Sequence, residues 1–138
     1  MTETRTNEER KEREAVFEFE LEMDEFPIKL KSKETGQWDE YVLVELDGKL
    51  RDKYLNNLGG RIRTGPQGSS TLRNFEGLQS NLITRCLWKI VGADREAVDE
   101  PTIQSWPARV QTKLYDKCRE MSGLTDEKDN KEDDQGND

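Results

Sequence analysis

The two ends of this chain carry almost nothing that could be buried. Counting Ala, Val, Ile, Leu, Met, Phe, Trp, Tyr and Cys as apolar, 41 of the 43 such residues lie between Val16 and Leu124. Residues 1–15 hold only Met1 and Ala15, and residues 125–138 hold none. A segment without apolar side chains cannot offset the entropy of ordering its own backbone. Whatever folds is therefore confined to the middle, which has room for one domain. The reading is a disordered charged segment at 1–15, a single domain at 16–124 and a disordered acidic tail at 125–138. The mean hydropathy of -1.05 describes the ends more than the domain.

Charge follows the same division. Of a formal net charge of -8, the tail from Thr125 supplies five. Such a surface repels a phosphate backbone, so nucleic acid is not an expected partner, and it favours solubility and basic partners. No apolar run approaches the ~20 residues of a membrane span, and the amino end lacks the apolar stretch of a signal peptide. A soluble cytosolic protein without membrane contact is expected. Cys86 and Cys118 form no CxxC pair and sit on apolar helical faces, so buried free thiols are expected rather than a disulfide or a metal site.

Within the domain, periodicity indicates the elements. "VFEFELEM" alternates strictly, with Phe17, Phe19, Leu21 and Met23 on one face and acids on the other, the pattern of a strand with one wet face. Pro27 interrupts, and the alternation resumes at Ile28 and Leu30. "WDEYVLVEL" reads as a further strand with Val42, Val44 and Leu46 on one face. Asp47 caps a helix carrying Leu50, Tyr54, Leu55 and Leu58. "TGPQGSS" reads as a flexible loop that ends in a Ser70 or Thr71 cap. A long helix follows from Leu72 to Ile90, with Trp88 on its far side and Gly92 stopping it. The last helix, opened by Ser105 and Pro107 and closed by Gly123, presents Val110, Leu114, Cys118 and Met121. Leu78, Leu82, Leu114 and Met121 are expected to form the core between these two helices. The class is α+β: an N-terminal antiparallel sheet of two to three strands followed by about three helices.

Chemistry is sparse. With no histidine, the usual general base, Ser–His and Cys–His nucleophile pairs and most zinc sites are unavailable. Gly60 and Gly65 have P-loop spacing, but Pro66 and Gln67 stand where Lys and Ser/Thr would hold phosphate and magnesium. Arg61, Arg63 and Arg73 are either a local basic patch or solvated arginines that balance an acidic protein. The acidic tail lacks the ligand order of a calcium loop. No enzyme activity and no cofactor are expected. Trp38 and Trp106 read as core or staple residues. Trp88 either covers the sheet or stands exposed as an anchor for a protein partner.

The arrangement of these segments resembles the tail assembly chaperones of long-tailed bacteriophages, the G-type proteins. The likeness covers roughly residues 40–124. It rests on a Y-x-L-x-E-L strand entering an R-D-x-Y helix (Tyr41, Leu43, Glu45, Leu46, Arg51, Asp52, Tyr54), on the leucine-rich middle helix, and on the closing helix from Trp106-Pro107-Ala108 through Leu114, Tyr115 and Cys118 to Gly123-Leu124. The resemblance implies a non-catalytic protein that coats and solubilises the tape measure protein, helps recruit tail tube subunits in the host cytoplasm, and is absent from the mature virion. Such a function calls for an apolar groove between helices. Trp88, Arg85 and Tyr115 are the candidate partner-binding residues, and self-association stays open. The rival readings are a minor tail or head–tail connector subunit retained in the virion, and an acidic adaptor or inhibitor.

Overall fold

The computed structural model describes residues 17–125. The charged segment expected at 1–15 and nearly all of the tail expected at 125–138 lie outside the described residues. Strands β1 (Glu25–Lys31) and β2 (Trp38–Val44) form a hairpin and lead into helix α1 (Gly48–Gly59). A small second hairpin follows, β3 (Ile62–Thr64) and β4 (Ser70–Leu72). Then come α2 (Leu78–Cys86), the hairpin β5 (Leu87–Val91) and β6 (Asp94–Ala97), the short α3 (Glu100–Gln104) and the closing α4 (Ala108–Met121). The main sheet is antiparallel in the order β1-β2-β5-β6. Helices α2 and α4 pack on one of its faces. The class is α+β.

Several elements differ from the sequence expectation, each for a physical reason. The segment Phe17–Met23 is not a strand, although its alternation is perfect. Amphipathicity creates a demand for a neighbour but does not supply one. Pro27 does not interrupt β1. It sits inside an edge strand, where a missing N–H is tolerated. The helix expected from Leu72 to Ile90 is only Leu78–Cys86, and "LWKIV" continues as β5. Cys86, Leu87 and Ile90 fit helical spacing, but a buried strand is apolar on both faces and mimics it. The two residues Gly92 and Ala93 join Val91 to Asp94, and Gly92 has φ +63°. That left-handed conformation suits a two-residue hairpin.

"TGPQGSS" is the tip of the β3–β4 hairpin rather than a flexible loop, so neither Ser70 nor Thr71 caps a helix. Before α4, Pro107 itself occupies the cap position, and the Ser105 hydroxyl instead donates to Thr102 O at the end of α3. Two capping expectations are met. Asp47 Oδ1 accepts from Leu50 N–H at 2.8 Å and starts α1. At the far end, Leu124 N–H donates to Arg119 O at 2.8 Å and Gly123 N–H to Glu120 O at 3.3 Å, with Gly123 at φ +68°. These are the paired bonds of a Schellman motif.

The core lies between the helices and the inner face of the sheet. Leu43 and Leu87 meet Leu82, Ile83 and Ile103 there, all fully buried. On β2 three consecutive residues, Tyr41, Val42 and Leu43, are buried, so this strand is covered on both faces. Tyr41 and Leu43 belong to the core cluster, whereas Val42 points to the outer face with Val44. Of the expected helix–helix core, Leu82 and Leu114 are buried and Met121 packs against the core cluster, whereas Leu78 is only half-buried and lies outside it. Trp106 stands edge-on to Tyr41 at 5.9 Å between ring centres and fixes the corner before α4. Trp38 begins β2 as expected but is 63% exposed. No helix among the described residues is long and apolar enough to cross a membrane.

Replacing Leu82 with Ala opens a cavity in the core cluster that α2, α4 and the sheet share. The expected cost is about 2–5 kcal/mol, read as a lower urea midpoint. The half-buried Leu78→Ala should cost clearly less in the same assay.

Candidate functional site

The three sequence-selected residues stand on three different elements. Trp88 lies on β5, opposite Val42 and Ala97, and is half-buried on the outer face of the sheet. Arg85 is half-buried on α2 and donates from Nε to Asn81 Oδ1 at 3.4 Å. Tyr115 is half-buried on α4, where its hydroxyl meets that of Tyr54 at 2.9 Å and Arg119 lies over its ring. Among the described residues no hydrogen bond, ion pair or ring contact joins the three. Tyr115 holds α1 against α4, so its polar end is already committed within the fold.

A cleft of about 400 Å³ lies on the outer face of the sheet. Cross-strand register explains its composition. Pro27, Val42, Trp88 and Ala97 form one row across the four strands, and Lys29, Glu40, Ile90 and Arg95 form the next. Pro27, Val42 and Ile90 give the cleft an apolar floor, and Lys29, Glu40 and Arg95 give it a charged rim. Arg95 and Glu25, from opposite edge strands, meet at 2.5 Å. Both side chains are more than two-fifths exposed, so the pair adds little stability, but it ties the two edges across the face. Sequence reasoning missed this cleft because it treated β5 and β6 as helix and connector. The signal was the short loop between "LWKIV" and "DREA".

A second, smaller hollow of about 210 Å³ opens at the start of α2, beside Phe75, Gly77, Gln104 and Gln111. It sits over a set of polar tethers. The Glu100 carboxylate accepts from Ser80 Oγ and Asn81 Nδ2, each at 3.4 Å, and Gln104 Nε2 donates to Ser80 Oγ at 3.1 Å. Arg61 reaches in from the end of α1, donating to Asn57 Oδ1 at 2.8 Å, Asn74 O at 3.1 Å and Glu76 O at 2.5 Å. Gly77 has φ +75°, and a Cβ there would lie 3.3–3.5 Å from Gln104, Arg61 and Glu100. Of the three arginines considered as a basic patch, Arg61 is thus a strut of the fold, while Arg63 and Arg73 are exposed.

Cys86 and Cys118 are free and buried. Their thiols face one another across the α2–α4 interface. The hydrogen bond with Cys86, and then burial, push the Cys118 thiol far above the usual thiol range. It stays protonated and acts as packing. Asp99 is held below the usual carboxylate range by the Thr102 hydroxyl and N–H it accepts from at the start of α3. Tyr54 is raised well above the ordinary tyrosine value, first by burial and then by its bond with Tyr115. These shifts all follow from interactions that hold elements together.

Comparisons of the chain with protein-family models, with curated proteins and with solved structures found no match in any of the three.

The Tyr54–Tyr115 contact predicts two effects. Tyr115→Phe should cost about 0.5–1.5 kcal/mol, and a double-mutant cycle with Tyr54→Phe should return most of that as coupling. Because folding raises the Tyr54 pKa, its contribution is complete below the unfolded value of about 10 and is lost as pH rises above it. Urea midpoints should therefore fall above about pH 10, and less so in Tyr54→Phe.

Proposed function

We propose that this chain is a non-catalytic tail assembly chaperone of a long-tailed bacteriophage. It binds the tape measure protein, keeps it soluble and helps recruit tail tube subunits in the host cytoplasm, then leaves before the virion matures. The observation that carries this reading is the likeness over residues 40–124. Many of the residues responsible for it are core and closing residues here. Tyr41, Leu43, Leu46 and Tyr54 are buried, and Gly123–Leu124 closes α4.

The place of client contact is revised from the sequence expectation. Leu82, Leu114 and Cys118 fill the space between α2 and α4, so an apolar groove is not sought there. The outer sheet face supports the role better. Its cleft joins an apolar floor to a rim of both charges, features that hold an amphipathic segment of another protein. Trp88 stands in the same row as Val42 of that floor and offers a large, partly exposed ring of the kind that anchors protein contacts. Arg85 and Tyr115 lie away from this face and are secondary to it.

Co-expression with the tape measure protein of the same phage should render that protein soluble and co-purify it with this chain, which should be missing from finished particles. Trp88→Ala should weaken the binding by about tenfold or more while circular dichroism stays unchanged. An insoluble tape measure protein, with this chain recovered in virions, would replace the reading by a minor tail or connector subunit. Removing residues 125–138 should spare most binding, and complete loss would favour the acidic adaptor.

A further inference from the structure

Phe17, Phe19 and Leu21 are 86, 83 and 93% exposed. They form the apolar row of a segment whose other row is Glu18, Glu20 and Glu22. Its pattern is that of a strand with one buried face, yet it runs free of secondary structure ahead of β1. Three large apolar side chains in one exposed row mark a surface that expects a cover.

The same chain has an open strand edge. β1 ends the sheet, and among the described residues nothing pairs with its far side. Glu45 N–H donates to Asp24 O at 3.0 Å, so the even-numbered residues of this strand direct their backbone groups to β2. Pro27, which has no N–H, falls in the alternate set. By the alternation of an antiparallel ladder, the amides of Lys29 and Lys31 then face the open edge. On the inner face Ile28 and Leu30 are only half-buried.

We propose that Phe17–Leu21 of one copy of this chain adds as an antiparallel strand to the β1 edge of a second copy. In the register that sets Phe19 opposite Leu30, Leu21 falls opposite Ile28. The same register sets Glu18 opposite Lys31 and Glu20 opposite Lys29. Apolar residues meet on one face and opposite charges on the other, the cross-strand pairs that stabilise a sheet. A slip of one residue would set Phe19 opposite Lys29, which excludes the other parity. The apolar positions change from odd to even between Met23 and Phe26, and the chain bends at Glu22. The arm therefore does not simply prolong β1, and its apolar row can turn onto the inner face.

The arm has two other partners within reach of this chemistry, and both are disfavoured. Folding back on its own β1 through the two-residue reversal Glu22–Met23 would need backbone bonds from Asp24 to close the turn, and Asp24 is already bound to Glu45 through both its N–H, at 2.8 Å, and its carbonyl. Pairing two arms antiparallel about Glu20 would align Glu18 with Glu22 and Glu20 with itself, a row of like charges. Exchange of arm for edge is reciprocal, so two copies close as a two-fold dimer. The inference stands apart from the proposed function and uses a different part of the chain.

Light scattering and sedimentation of the full-length protein test it. The wild type should be a dimer. Phe19→Asp with Leu21→Asp should give a monomer with an unchanged dichroism spectrum, since these side chains are exposed in the single chain. Glu18→Lys with Glu20→Lys, or Lys29→Glu with Lys31→Glu, should each raise the dimer dissociation constant by about tenfold or more. All four changes together should restore the dimer. A monomeric wild type overturns the proposal, including one whose arm is protected from hydrogen exchange by folding on its own edge or by another protein. A dimer that survives Phe19→Asp with Leu21→Asp, or a four-fold variant that fails to re-form it, also overturns it.

Discussion

Burial of β2 on both of its faces is the constraint from which the rest of this fold follows. Leu43 is fully enclosed on the inner side, and Val42 is buried on the outer side, in the row that also holds Trp88. A strand in that position must be flanked by two others, and β1 and β5 supply them. It must also be roofed, which draws α2 and α4 onto the inner face. The end of the strand is tied as well, because Leu46 N–H donates to the Ser122 hydroxyl at the close of α4 at 3.0 Å. The end of β2 is thereby joined to the end of the last helix.

Around that strand, polar side chains near the core serve mainly as fasteners. Ser80 and Asn81 are buried on α2 and answered by Glu100 and Gln104 from α3. Arg61 spans from α1 to the turn before α2. Tyr54 and Tyr115 share one hydrogen bond across α1 and α4. Among the described residues, no buried side-chain nitrogen or oxygen lacks a partner. A polar group taken from water is costly unless it is bonded, so these pairs select one arrangement of helices over others of similar hydrophobic content. The longest row of exposed apolar side chains is the arm ahead of β1, with Phe17, Phe19, Leu21 and Met23, whereas Leu55, Ile62 and Phe75 stand singly on separate segments.

The legible part of the candidate site was residue type rather than place. Trp88 stood out because its position off a helical stripe was unusual, and it is indeed off the helices, on a strand. The cleft beside it was invisible, since Pro27, Val42, Ile90 and Arg95 come from four separate stretches and become neighbours only through cross-strand register. The pairing of Cys86 with Cys118 was hidden for the same reason, as nothing in a separation of 32 residues says that two thiols will face each other.

By itself the sequence determined the α+β class, the confinement of nearly all apolar residues to 16–124, the Asp47 start of α1, and the Gly123–Leu124 exit of α4. Each depends on residues within one turn or strand of each other, where spacing and backbone preference act directly. Tertiary structure alone decided that "LWKIV" is a strand, that Phe17–Met23 pairs with no strand among the described residues, and that a cleft lies on the outer face of the sheet. An apolar run satisfies helix and buried strand alike, and an alternating run needs an edge to pair with. Only the filled neighbourhood of β2 settles which edges are taken and which are left open.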